Sequence, residues 1–104
     1  MRVLMRVSIP VEAGNRAIKD GSLERTMMNA VERLRPEATY FFTDHGQRTA
    51  LIAFDMKNVS DMPAIAEPFF MELNASVEWF PAMSPDDLKK GLSGMMENQA
   101  AMRR

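Results

Sequence analysis

One histidine, one tryptophan, one tyrosine and no cysteine bound the chemistry of this chain. Without a thiol there is no disulfide, no thiol catalysis and no thiolate metal ligand. His45 is then the only side chain whose unperturbed titration falls near neutrality. It stands before Gly46 in "TDHGQR", between two apolar runs, where a tight turn is expected. No other ligand-type residue is spaced to converge with it, so it reads as a turn residue rather than a catalyst or a haem or metal ligand.

Arg6 and Glu78 are charges set inside apolar, alternating segments, "LMRVS" and "SVEWF". Charges in such settings persist by pairing, which predicts a brace between strands. The second reading is an anchor for a carboxylate or phenol. Tyr40, Phe69, Phe70 and Trp79 are candidates for lining an apolar cavity between sheet and helices, with Pro68 loosening the helix beside it. Asn15 and Arg16 would supply the polar anchor. Aromatic residues at such spacing are core more often than pocket. No residue stands out as catalytic.

Other signatures are missing. The 11 methionines suit flexible core filling, and their spacing suggests no metal site. Gly91-Leu92-Ser93-Gly94 matches a GXXG loop only in letters, because it falls in a helical context. No phosphate loop, dinucleotide fingerprint, nucleophile elbow or zinc motif is present, and no cofactor is implied.

Composition narrows the class. The chain has 104 residues, 46% hydrophobic and 26% charged, which suits one domain over residues 1–104. A formal net charge of −1 and the lack of a Lys/Arg run argue against nucleic acid as a partner. No apolar run approaches the roughly 20 residues that span a bilayer. "MRVLMRVSIP" lacks a signal-peptide layout, so a cytoplasmic location is expected.

The elements that must position these residues follow from periodicity. Residues 1–9 alternate, with Val3, Met5, Val7 and Ile9 on one face and Arg2, Leu4, Arg6 and Ser8 on the other. Pro10 closes this strand. From Val11 to Arg35 the period is helical, broken at Asp20-Gly21-Ser22, where Gly21 suits a C-terminus and Ser22 an N-cap. Leu23, Met27, Val31 and Leu34 form one stripe. A two-residue turn at His45-Gly46 sets Phe42 opposite Thr49 and Tyr40 opposite Leu51. Ala38, Tyr40, Phe42, Leu51 and Ala53 then share one face, with Phe41, Ala50, Ile52 and Phe54 on the other. Residues 60–73 predict a helix with Ser60 as N-cap, Pro63 in its first turn and a kink at Pro68. Residues 75–83 predict a strand that Pro81 confines to an edge. Ser84, Pro85 and Asp87 open a last helix that Gly91 and Gly94 weaken, so residues from about 95 to 104 are expected to fray or to lean on a partner.

This order is the ferredoxin-like β-α-β-β-α-β pattern, an α+β fold with an extra C-terminal helix. It predicts a four-stranded antiparallel sheet in order 4-1-3-2 with the helices on one face. The other face would then expose a contiguous apolar patch, which normally marks an interaction surface. A two-fold homodimer packed through the open sheet faces covers it.

Four stretches, "MRVLMRVSIP", "EAGNRAIKDGSL", "AIAEPFFMELNASVEW" and "DDLKKGL", resemble a small, functionally uncharacterised bacterial domain family. That family is placed with the dimeric α+β barrel superfamily, which includes antibiotic-biosynthesis monooxygenases and muconolactone isomerase. The resemblance covers residues 1 to about 92. It implies a dimeric barrel and carries over no catalytic residue. Three functions are consistent with it: a homodimer holding a small apolar or aromatic ligand, a cofactor-independent monooxygenase or isomerase, and a purely structural assembly protein.

Overall fold

Pro10 ends the first strand and opens the first helix, and punctuation of this kind sets most element boundaries in the chain. The computed structural model describes residues 1–102. Strand β1 (Arg2–Ile9) leads into helices α1 (Val11–Asp20) and α2 (Ser22–Leu34), then the hairpin β2 (Ala38–Asp44) and β3 (Gln47–Asp55). A single 3-10 turn (Val59–Asp61) precedes helix α3 (Met62–Leu73), edge strand β4 (Ser76–Pro81) and helix α4 (Pro85–Met102).

Two expected caps lie elsewhere. Ser22 is the first residue of α2 and is buried, while Gly21 at φ 80° serves as the last cap of α1 and the first of α2. One left-handed glycine is enough to turn the chain, and Ser22 N–H donates to Asp20 Oδ1 at 2.9 Å. Ser60 likewise sits inside the 3-10 turn; Asn58 begins it, its N–H donating to Asp61 Oδ2 at 3.2 Å. Pro63 lies in the first turn of α3, where a missing N–H matters little, and the helix runs on through Pro68 to Leu73.

The sheet is antiparallel throughout, in the order β2-β3-β1-β4, which is 4-1-3-2 read from the other edge. Its register is the one expected: Tyr40 opposite Leu51, Phe42 opposite Thr49, and a two-residue turn at His45-Gly46. Val3, Met5, Val7, Ile9, Ala50, Ile52 and Phe54 fill the helix side together with Ala17, Met27, Phe69 and Leu73. This layer is the core, and its largest members are almost wholly shielded from water. The result is an α+β domain with an open, four-stranded sheet, compatible with a ferredoxin-like fold.

Helix α4 is unlike the others. It forms one 18-residue helix with no buried residue. The tail expected from residue 95 is helical to Met102, and its last two residues lie outside the described ones. Two interior glycines cost about 1 kcal/mol each against alanine. The reciprocal cap between Ser84 and Asp87 and a run of good helix formers offset that. No helix among the described residues is long and apolar enough to cross a membrane.

Candidate functional site

The open face of the sheet is built from three cross-strand rows. The central row runs Tyr40–Leu51–Arg6–Glu78 across all four strands. Ala38–Ala53–Leu4–Phe80 lies on one side of it and Phe42–Thr49–Ser8–Ser76 on the other. Strict alternation brings these residues to one face, because each strand turns every second side chain away from the helices. Tyr40 is 66% exposed, Phe42 43% and Phe80 40%, so the aromatic content of this face stands in water.

Arg6 is its electrostatic centre. Its Nε–H donates to Glu78 Oε1 at 3.0 Å and its Nη2–H to Oε2 at 3.1 Å, a two-pronged pair. The remaining Nη1 lies 3.7 Å from Asp44 Oδ2, and the guanidinium carbon stands 5.6 Å from the centroid of the Phe80 ring. Asp44 also reaches the exposed His45, 3.0 Å from its Nδ1. One guanidinium therefore serves two carboxylates and an aromatic face. Both of its edges are engaged, so it acts as a brace between β1, β4 and the hairpin tip.

The other candidates lie elsewhere. Trp79 is half-buried on the helix side, opposite Met5, whereas Tyr40 is on the open face. Phe69 is packed in the core, and its neighbour Phe70 points outward, 41% exposed. The four aromatics thus do not line a common cavity. Asn15, on α1, accepts a hydrogen bond from Arg48 Nη2 at 3.0 Å. The same guanidinium reaches Val11 O at 3.4 Å across Gly14, where a Cβ would sit 2.5 Å from Arg48 Nη1. Asn15 is separate from the Arg6–Glu78 pair.

A groove between α2 and α3 has a volume of about 340 Å³. Ile65, Pro68 and Phe69 form its apolar floor, and the charged residues lining it are Arg25, Arg33, Glu32 and Glu72, two of each sign. Neither arginine makes an ion pair within 4.0 Å among the described residues. The sequence pointed to Pro68 and Phe69 but not to the arginines, since helical spacing alone does not say which two helices will be neighbours.

Charges at the far end of the sheet tie the chain termini of its strands together. Arg2 pairs with Glu37 and with Asp87, at 2.9 Å from Nη1, and these partners raise its pKa above the ordinary guanidinium value, Glu37 foremost. The Ser84 backbone and hydroxyl hold Asp87 below the usual carboxylate range. Lys57, aided by the Met1 amino group, lowers Asp55 to about 2. Among the described residues, no cluster of three or more His, Asp or Glu side chains is arranged to hold a metal ion.

No family model matches the chain, and neither does any curated protein compared with it.

Proposed function

We propose that the protein works as a homodimer, a dimeric α+β barrel in which two open sheet faces pack against each other. The observation that carries this reading is the central row, where exposed Tyr40 and half-buried Leu51 continue into the Arg6–Glu78 pair. An apolar face with one charge pair already satisfied internally can be covered without stranding a charge. It is also self-complementary under a two-fold axis. Sedimentation across a concentration series tests it: a dimer at micromolar concentration is expected, and Leu51→Lys should convert it to monomer. A wild-type protein that stays monomeric there refutes the reading.

Each protomer, in the same proposal, holds a small apolar or aromatic ligand. The α2–α3 groove supports this, because its volume of about 340 Å³ falls within the range of small-molecule sites and its floor is apolar with polar groups at its rim. An aromatic or acyl compound fits that floor. Thermal-shift measurements with a panel of such compounds test it, using Ile65→Trp to fill the groove. Stabilisation lost in Ile65→Trp is expected; no stabilisation by any compound removes the ligand from the proposal. The enzymatic alternative rests on likeness of fold, and function on a shared fold has to be argued from a site. Arg6, with both edges engaged, offers no free acid–base pair.

A further inference from the structure

Two apolar surfaces remain that a contact between open faces does not fully cover. The first is on α4, where Leu88, Leu92, Met95 and Met102 recur at i, i+4, i+7 and i+14, one stripe along the helix. They are 47%, 49%, 47% and 85% exposed. The second is a groove at the β2 edge, about 340 Å³, lined by Ile9, Leu23, Met27, Phe41, Phe42 and Arg48. Phe41 faces the helix side of the sheet, opposite Ala50, yet is 57% exposed.

Within one chain these surfaces cannot meet. Helix α4 leaves from β4, the edge strand opposite β2, and its direction is held at the start. Ala82 N–H donates to Arg2 O at 3.1 Å, Ser84 and Asp87 cap each other, and Arg2 holds Asp87. The helix accordingly extends the molecule to 65 Å, with a radius of gyration of 17.6 Å. A compact domain of this length has a radius of gyration of about 13 Å.

We propose that α4 crosses to a second copy of this chain and lays its Leu88–Leu92–Met95 stripe into the β2-edge groove of that copy, each protomer giving one arm and receiving one. The inference rests on the dimer reading above and adds its second contact. The area required favours it. A four-stranded face about 19 Å wide and about 23 Å long presents on the order of 450 Å². A specific interface buries about 600–1,000 Å² per partner, so the sheet contact alone falls short. The docked stretch from Leu88 to Met95, about 12 Å of helix about 10 Å across, adds roughly 120 Å², and the groove that receives the other arm adds a similar amount. Both contacts together come to about 700 Å² per partner, inside that range. An amphipathic helix seated in an apolar groove is a recurrent mode of recognition.

The absence of cysteine makes the test direct. Leu92→Cys protein mixed with Phe41→Cys protein and oxidised is expected to give the mixed disulfide between copies. Leu88→Lys with Leu92→Lys, at positions that support no core, should weaken the dimer at least about tenfold while the far-ultraviolet spectrum is retained. A Leu92–Leu92 cysteine cross-link in place of the mixed one would mean that the arms pair with each other, and overturns the proposal. So does a dimer that forms as tightly in the double-lysine variant as in the wild type, an outcome that leaves the sheet-face contact standing. A monomeric wild type removes both.

Discussion

Arg6 and Glu78 face each other directly across β1 and β4 and are joined by two hydrogen bonds, at 3.0 and 3.1 Å, although 72 residues separate them in the chain. Their side chains are 34% and 49% exposed in the single protomer. A pair exposed to that degree is worth about 0–1 kcal/mol. Covered by a second sheet, the same pair becomes costly to break, by about 3–5 kcal/mol when one member is removed. A double-mutant cycle of Arg6→Met and Glu78→Leu should therefore give a coupling above about 2 kcal/mol in the dimer. Repeated in the Leu51→Lys background, chemical denaturation should return about 1 kcal/mol or less. Equal coupling in both backgrounds would mean that the face stays wet.

Adjacent phenylalanines on α3 should respond differently. Phe69 is 1% exposed within the core and Phe70 is 41% exposed. Phe69→Ala is expected to cost about 3–5 kcal/mol through the cavity it leaves, and Phe70→Ala under about 1.5 kcal/mol. Urea unfolding of the two variants checks the ranking.

His45 and Gly46 occupy the left-handed region, at φ 53° and 75°. Gly46→Ala should destabilise the hairpin by about 1–2 kcal/mol, because a Cβ there crowds the next carbonyl. His45→Asn should be neutral or slightly stabilising, since asparagine enters that region readily. Neither change should alter binding in the α2–α3 groove, and a loss of ligand affinity in His45→Asn would return the histidine to chemistry.

Thr39 carries a buried hydroxyl on the helix side of β2 that makes no hydrogen bond among the described residues. Such a group costs about 1–3 kcal/mol of desolvation. Thr39→Val keeps the shape and removes the polar atom, so thermal unfolding should shift upward, by about 1 kcal/mol in stability.

Asp55 titrates at about 2, below its ordinary value of 3.8, because Lys57 and the Met1 amino group favour its charged form. A carboxylate with a depressed folded-state pKa stabilises the fold above its unfolded value and loses that contribution as pH falls through the folded one. The melting-temperature gap between wild type and Asp55→Asn should hence be constant above about pH 4 and close towards about pH 2. A gap that persists at the acid end would mean the carboxylate acts by something other than its charge.

Part of the candidate face is legible in the sequence. Period-2 alternation in β1 and the parity of Glu78 and Phe80 place Arg6 and Glu78 on one side, and the His45-Gly46 turn groups Tyr40 with Leu51. Alternation does not say which hairpin face turns away from the helices, so Tyr40 is expected beside Phe69 and lies instead in the Arg6 row. The cap positions at Ser22 and Ser60 were misplaced, since Gly21 and Asn58 offer competing solutions only one or two residues away and local propensity does not rank them.

Alternation, turn chemistry and the order of elements are properties of neighbouring residues, so the sequence by itself determined which residues share a strand face, the hairpin register and the order of the strands, though not which face of the hairpin meets the helices. The tertiary structure decided what meets through space: Asp44 and Phe80 around Arg6, Arg25 and Arg33 beside Phe69, Arg2 on Asp87 at a separation of 85 residues. It also decided that α4 stands clear of its own core. A stripe of leucine and methionine specifies only that a helix has an apolar side; which surface that side finds depends on where the preceding strand releases it.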